Sequence, residues 1–379
     1  MAGSNENIKS DGRRILIVAS SFYPNISPRS FRTTELAGEL ARQGHQVTVL
    51  IPFRGYDYTQ YALDNNLVFK DLGRLRFKDL AVTGNGPLPL IKRLIRRMLG
   101  LLFEYPLIEL FFKIPGSLKN ENGYDMMISV AVPYPVHWGV AKARKARHRI
   151  ADIWVADCGD PYMGDTTDSF RKLFYFKYIE KWFCRKADYI TVPFDGAVSA
   201  YYPEFHHKIR IIPQGIRLDD LDIPGYRKTT PYPVFAYAGG FIPGKRDPRA
   251  LLQYLAECGR DFRFIIYTSQ DGMLLPFKNT LGERMEIRSN IPREKLLTVL
   301  AGMDFLINFD NNTTTQLPSK LIDYAITGRP VLNIKSGSDF SQLARFMDYD
   351  YSDRMNLASP QTYNIKSVAR AFTDLQDLK

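Results

Sequence analysis

The sequence is poor in cysteine, and its first residues are polar. Its three cysteines, Cys158, Cys184 and Cys258, lie far apart without a CxxC pair, which argues against both a disulfide framework and a zinc site. Residues 1–11 are polar and have no apolar core of the kind found in signal peptides, so we interpret them as a disordered lead-in. Together these absences indicate a reducing compartment, and we expect a cytoplasmic protein.

The glycine pattern of a dinucleotide site is also absent. The loop after the first predicted strand contains no glycine, and the loop GGFIPGKR in the second half has the wrong spacing for GxGxxG. No acid ends the run HQVTVLIP to hold a ribose, and there is no Walker A motif. The sequence therefore argues against a dehydrogenase and a P-loop NTPase.

What is present is an alternation of short apolar runs with helical patterns. RRILIVAS at 13–20 has the continuous apolar character of a strand buried on both faces, and an amphipathic helix and the strand HQVTVLIP follow it. The alternation starts again with PVFAYAG after residue 230. With 379 residues the chain is long enough for two cores. We predict an α/β protein of two Rossmann-like, doubly wound parallel-sheet domains around a central cleft, over 12–220 and 221–345.

The formal charge of +11 is concentrated in one segment. Residues 70–119 hold ten Lys and Arg against four acids, a net +6, and they include the run LPLIKRLIRRMLGLLFEYPLIELFF. Its apolar part, 98–112, is too short to span a bilayer and is interrupted by acids and a proline. This pattern is typical of a basic amphipathic insertion that lies on an anionic membrane surface. The alternative is an insertion packed on its own domain with solvated cations.

Cations follow the strands of the second half, where parallel sheets bind ligands. Lys245 and Arg246 come just after PVFAYAGG. Lys320 lies near the start of the predicted helix PSKLIDYA, which follows a strand that ends at 308–310. The N–H groups and dipole of a helix N-terminus favour an anion, so these residues predict a phosphate site. Asp323 follows about one turn later, roughly 6 Å along the axis, at a distance that suits the hydroxyls of a ribose. The alternative is an acid that only stabilises the helix dipole.

Five stretches, in order over residues 13–335, resemble one known family. PSKLIDYAITGRPVL resembles the signature P-S-K-L-x-E-Y-x-A-x-G-x-P-V, and AGGFIPGKR resembles the phosphate loop G-R-L-x-P-x-K-G. Three further stretches are similar to other motifs of that family: ASSFYPNISPRSFRTTELAGELARQGHQVTVL, SVAVPYPVHWG with IADIWVADCGDPY, and IIPQGI. The chain therefore resembles the family-four group of GT-B glycosyltransferases.

The resemblance implies retaining, metal-independent transfer of a sugar from a nucleoside diphosphate donor, such as a UDP-sugar, to a glycan or lipid-linked acceptor. Surface polysaccharide or glycoconjugate synthesis would be the setting, at the inner face of the membrane, with no cofactor and no nucleic acid partner. A polar helical tail, 346–379, would cross back to the first domain.

The same resemblance implies roles for individual residues. His137 and Asp160 would be catalytic. The nucleotide and its diphosphate would be bound by Gly240, Lys245, Arg246, Ser319, Lys320, Leu321 and Asp323. The donor sugar or the acceptor would contact Pro28, Arg32, Thr315 and Gln316. Arg29 flanks the same first loop, but Arg32 matches the family pattern and is the preferred residue. No metal ligands are expected.

Three positions depart from the family pattern. Gly240 stands where the phosphate loop usually has an arginine, and Gly159 replaces the arginine of D-x-R-D-P-W. Thr315 replaces a glutamate that precedes the ribose acid by eight residues. We expect Arg246 to replace the cation missing at 240. These departures leave open two alternatives to an active transferase: a non-catalytic nucleotide-sugar-binding scaffold and a nucleotide-sugar epimerase of the same fold.

Overall fold

The chain folds into two units, each built on one parallel sheet. A computed structural model describes residues 12–79, 87–145, 148–165, 171–310, 320–335, 337 and 339–378. The first unit comprises Met1–Ile216 and Asn364–Lys379, and the second comprises Arg217–Tyr363. The division therefore lies close to the predicted boundary at 220/221. The predicted tail begins later than 346, because residues 346–363 stay with the second unit.

The first unit contains a seven-stranded sheet in the order β3-β2-β1-β4-β5-β6-β7, and every neighbouring pair is parallel. The strands are β1 Arg14–Val18, β2 Gln46–Ile51, β3 Leu67–Asp71, β4 Tyr124–Ala131, β5 Ala151–Cys158, β6 Tyr189–Val192 and β7 Ile209–Ile211. The helices are α1 Pro28–Arg42, α2 Thr59–Asn65, α3 Pro87–Phe103, α4 Glu109–Ser117, α5 Pro135–Ala143 and α6 Phe176–Lys186. This is the predicted strand–helix alternation, with α3 and α4 lying within the basic segment.

Both faces of the first sheet are buried, which explains the continuous apolar runs of its strands. Successive side chains of a strand point to opposite faces. In β1, Leu16 and Val18 belong to one apolar cluster, whereas Ile15 and Ile17 belong to another. Helices therefore cover the sheet on both sides, as expected of a doubly wound fold.

The second unit repeats this arrangement with five parallel strands in the order β10-β9-β8-β11-β12. The strands are β8 Val234–Ala238, β9 Arg263–Tyr267, β10 Met285–Arg288, β11 Phe305–Phe309 and β12 Val331–Ile334. The helices are α7 Arg249–Glu257, α8 Lys278–Leu281, α9 Arg293–Ala301, α10 Lys320–Thr327 and α11 Ser341–Met347. In β8, Phe235 and Tyr237 face one cluster, and Ala236 and Ala238 face the other.

The end of the chain returns to the first unit as one further helix, α12 Ile365–Thr373. Its start is fixed by Asn364, whose side chain caps the helix by accepting a hydrogen bond from the backbone N–H of Lys366. The backbone N–H of Ile365 donates to the carbonyl of Ile216 at 2.9 Å. The apolar face of α12, which includes Phe372, is buried in the cluster that also contains residues of α1.

Among the described residues, none of the helices has both the length and the apolar character that crossing a membrane requires.

Candidate functional site

The candidate anion site lies at the switch point of the second sheet. The chain runs outward from β8 through β9 to β10 and then crosses to β11 on the other side of β8. Ligands of doubly wound proteins bind at such a point, beyond the carboxyl ends of the strands. The loop that starts at Gly239, after β8, and the segment that follows β11 up to α10 begin there. These are the two loops that the sequence predicts for phosphate.

Lys320, the first residue of α10, is a mostly buried cation without a polar partner among the described residues. Its Nζ atom makes no hydrogen bond among the described residues and lies 4.3 Å from the centroid of the Tyr237 ring. Burial, and then the positive charge of Arg246, lowers the pKa of Lys320 to about 7. A buried ammonium group is costly unless it is paired, so this position favours an anionic ligand.

Arg246 is the second cation of this site. A tight turn places it, because the N–H of Ile242 donates to the Arg246 carbonyl at 3.1 Å and Gly244 has a φ of +72°. The Nε atom of Arg246 is buried and has no hydrogen-bond partner among the described residues. Its neighbour Lys245 is exposed instead and lines a cavity of about 390 Å³ together with Lys335. The turn therefore directs Arg246 towards Lys320 and Lys245 towards solvent.

Gly240, where the family pattern has an arginine, is closely packed against Gln270. A β-carbon at residue 240 would lie 3.0 Å from Oε1 of Gln270, and that oxygen accepts a hydrogen bond from the N–H of Phe241. The Tyr237 hydroxyl donates to the Gly240 carbonyl at 2.8 Å, so the glycine is held in place. Gln270 thus fills the space beside Gly240, and Arg246 is the cation found near Lys320.

Asp323 lies in the first turn of α10, as predicted, but it has a partner that the sequence did not reveal. Oδ1 of Asp323 accepts hydrogen bonds from Nε and Nη2 of Arg293, the former at 2.8 Å. Burial raises the pKa of Asp323 above its ordinary value, and Arg293 acts in the opposite direction. Arg293 is the first residue of α9, and no pattern in the sequence connects it with Asp323.

Three predicted residues, Thr315, Gln316 and Ser319, lie outside the described residues. Leu321 is buried in the apolar cluster beneath α10, so its side chain packs in the core, and only its backbone could face a ligand.

In the first unit, Arg29 in the first turn of α1 pairs with Asp160, which follows the end of β5. Nη2 of Arg29 donates to Oδ2 of Asp160 at 2.7 Å, and the Asp160 side chain keeps 45% of its exposure. Arg29 follows Pro28, the exposed first residue of α1, whereas Asp160 follows β5. Arg29 is therefore more accessible to a ligand than Arg32, the residue preferred from the sequence.

Arg32 has a structural position, which argues against its predicted contact with the donor sugar or acceptor. It is 4% exposed, and its Nε and Nη2 atoms donate to the two carboxylate oxygens of Asp157 at 2.8 and 2.6 Å. Its remaining donors contact the carbonyls of Ile212 and Pro213. Burial alone would raise the pKa of Asp157, but Arg32 and the Thr191 hydroxyl outweigh this effect and lower it.

His137 is also enclosed, in the first turn of α5. It has no exposed surface, its Nδ1 lies 2.8 Å from the Ser129 hydroxyl, and its Nε2 lies 3.4 Å from the Cys158 sulfur. The Ser129 hydroxyl also accepts a hydrogen bond from the Trp154 indole at 2.8 Å. Burial lowers the pKa of His137 to about 3, against an opposing effect of Asp157. In this geometry the imidazole is neutral and enclosed in the core, and the catalytic role expected from the sequence stays a prediction.

Among the described residues, no group of three or more His, Cys, Asp and Glu side chains is arranged to hold a metal ion. The expectation of metal-independent chemistry stays a prediction.

Comparisons with known proteins agree on the family and the fold. The family model described as Glycosyltransferase Family 4 matches residues 31–220, half of the chain. A sequence search of curated proteins gave no significant match.

Three solved structures illustrate the structural similarity. A glycosyltransferase from Rickettsia africae has a TM-score of 0.61 at 12% identity, with 97% of this chain and 98% of that chain covered. The apo form of the lipopolysaccharide outer core galactosyltransferase WaaB has a TM-score of 0.60 at 12% identity, with 95% and 98% covered. HepE from Anabaena in complex with UDP has a TM-score of 0.59 at 13% identity, with 97% and 100% covered. This chain has the GT-B fold of such enzymes and belongs to Glycosyltransferase Family 4.

Proposed function

We propose that this protein transfers a sugar from a nucleoside diphosphate-sugar to an acceptor, with retention of configuration and without a metal ion. The observation that carries the proposal is the buried Lys320 ammonium, which has no hydrogen-bond partner among the described residues and lies near the unsatisfied Nε of Arg246. A diphosphate would satisfy both groups. The UDP in the solved HepE complex supports UDP as the first nucleotide to test.

These residues suit the departure of a nucleoside diphosphate. Charge develops on the leaving phosphate oxygens as the sugar–phosphate bond breaks, and fixed cations stabilise that charge without reorganisation. Lys320 and Arg246 would supply two positive charges, and the N–H groups at the start of α10 would add the helix dipole. Asp323 would hold the ribose through the carboxylate oxygen that Arg293 does not occupy. The proposed role of the second unit is therefore donor binding.

The proposed role of the first unit is acceptor binding. Asp160 is the exposed acid at the end of β5 and is held by Arg29, so it is the carboxylate available to accept a hydroxyl proton or a hydrogen bond from an acceptor. His137 would support this region from within the core, through Ser129 and Cys158. We propose a glycan or lipid-linked acceptor.

A donor panel tests the function. Thermal shifts with UDP, GDP and ADP identify the base, and the matching nucleotide-sugars are then incubated with glycan and lipid-linked acceptors. We expect a nucleotide-dependent rise in Tm and transfer to at least one acceptor, with the anomeric configuration of the product, read by NMR, matching that of the donor. Tight nucleotide binding without turnover would instead support the scaffold alternative. No binding of any nucleotide would contradict the proposal.

A further inference from the structure

Helix α3 projects an apolar face into solvent. Its residues 90–98 are all exposed, although five of these nine are apolar. Five apolar side chains retain between 44% and 64% of their exposure: Leu90, Ile91, Leu94, Ile95 and Met98. The spacing i, i+1, i+4, i+5, i+8 places these five on one face of a helix. An uncovered apolar face of this size on a folded protein indicates an interaction surface.

The rest of the exposed helix is basic. Lys92, Arg93, Arg96 and Arg97 occupy the positions between the apolar residues, and Arg96 pairs with Asp79 at 2.5 Å. A cavity of about 640 Å³ lies beside this side of the helix. Its charged lining comprises Arg93, Arg96, Arg97 and Lys172 with Asp79 and Glu104. Lys172 pairs with Glu104, so both acids have a cationic partner, and the lining keeps a net positive charge.

Exposed aromatic side chains also lie near the C-terminal end of α3. Three aromatic side chains are more than half exposed: Phe103, the last residue of α3; Phe174, just before α6; and Tyr178, in the first turn of α6. The loop that carries Phe174 is fixed to the end of α3, because the Tyr175 hydroxyl donates to the Leu102 carbonyl. Aromatic residues of this kind are enriched where proteins meet the membrane–water interface.

We propose that the exposed face of α3 docks the first unit on the surface of an anionic lipid bilayer. The apolar face would enter the boundary between headgroups and acyl chains, and the cations beside it would bind lipid phosphates. Charge complementarity favours this partner over a second copy of the chain, because a symmetric contact through α3 would bring two sets of like charges together. The proposal does not depend on the donor site in the second unit.

Vesicle flotation tests the docking surface. The full chain is mixed with vesicles of phosphatidylcholine alone or of phosphatidylcholine with phosphatidylglycerol. We expect flotation with the anionic vesicles only. Raising the salt from about 0.1 M to about 1 M, which shortens the Debye length from about 10 Å to about 3 Å, should weaken it.

Matched variants assign the binding to α3. Leu94→Glu should lower partitioning at least about tenfold, whereas Leu63→Glu makes the same change at an exposed leucine of α2 and should leave it unchanged. Lys92→Glu should weaken binding to anionic vesicles, and Lys295→Glu, on the exposed face of α9, should not.

Wild-type protein that does not float with anionic vesicles, or Leu94→Glu that floats like wild type, would overturn the proposal. A different result would assign α3 to an interface between copies of the chain. In that case, wild type would not bind vesicles but would form a dimer, and light scattering would show that Leu94→Glu loses it. Nucleotide affinity measured without vesicles separates this result from the proposed donor site, because the α3 variants should bind nucleotide like wild type.

Discussion

The guanidinium of Arg29 occupies the space above Gly159. Nη1 of Arg29 lies 1.5 Å from the position that a β-carbon at residue 159 would take, and Nη2 donates to the neighbouring Asp160 at 2.7 Å. The family pattern has an arginine at this position in the chain. An arginine from α1 therefore supplies a cation beside Asp160, and glycine at 159 leaves room for it.

This relationship predicts the effect of filling the space. Gly159→Ala should displace Arg29 and lower the transfer rate at saturating donor by about tenfold, because a charge-assisted hydrogen bond is worth about 1.5–3 kcal/mol. Arg29→Ala should have a similar effect. The double variant Arg29→Ala with Gly159→Arg should recover part of the rate by returning the cation to residue 159. A Gly159→Ala enzyme with the wild-type rate would show that the Arg29–Asp160 pair has no part in transfer.

The buried pair of Arg32 and Asp157 predicts a large effect on stability. Arg32→Met leaves the Asp157 carboxylate buried without its charge partner, which should lower the free energy of unfolding by about 3–5 kcal/mol. Arg149→Met removes a pair with Asp152 in which both side chains are more than half exposed, and it should cost about 1 kcal/mol or less. Urea unfolding followed by tryptophan fluorescence measures both, since all three tryptophans lie in the first unit. Equal losses in the two variants would contradict the assignment of Arg32 to the core.

The proposed ribose contact predicts discrimination between UDP and 2′-deoxy-UDP. Wild type should bind UDP more tightly, and Asp323→Ala should weaken UDP binding by about 1–3 kcal/mol. The variant should also bind the two nucleotides equally, because the group that reads the hydroxyl is gone. Arg293→Ala is the control: it removes the described partner of Asp323 and should retain the discrimination. Calorimetry that finds the discrimination intact in Asp323→Ala would exclude the ribose role.

The sequence was informative where local pattern determines the outcome. Buried parallel strands need apolar residues on both faces, so runs such as those of β1 and β8 could be recognised, and with them the loops that follow the strands. Lys320 and Arg246 were found in this way. Their proximity and burial follow from tertiary packing, including the contact of Lys320 with Tyr237.

The sequence could not distinguish two roles that share one pattern. The match of Arg32 to the family motif does not distinguish a ligand-binding arginine from one that holds Asp157 in the core. His137 starts a helix after a strand, but its enclosure by Ser129 and Cys158 depends on how α5 packs on β4 and β5. The Arg293–Asp323 pair joins α9 to α10, and only the folded chain brings these two residues together.

The pH dependence of UDP binding tests the central claim most directly. The pKa of Lys320 is about 7 in the free protein, so the ammonium loses its proton above that pH, whereas a bound diphosphate requires the charged form. The terminal phosphate of UDP, with a pKa of about 6, is already ionised there. Each pH unit above 7 should therefore weaken binding by up to about tenfold, with uptake of close to one proton near pH 9.

The decisive measurement is calorimetry of UDP binding between about pH 7 and pH 9, in buffers of different ionisation enthalpy, on wild type, Lys320→Met and the exposed-residue control Lys245→Met. We predict that wild type and Lys245→Met show the falling affinity and the proton uptake, and that Lys320→Met binds weakly at every pH without proton uptake. A wild-type affinity that stays constant over this range, or a Lys320→Met variant that binds UDP as tightly as wild type, would contradict the assignment of Lys320 to the donor diphosphate.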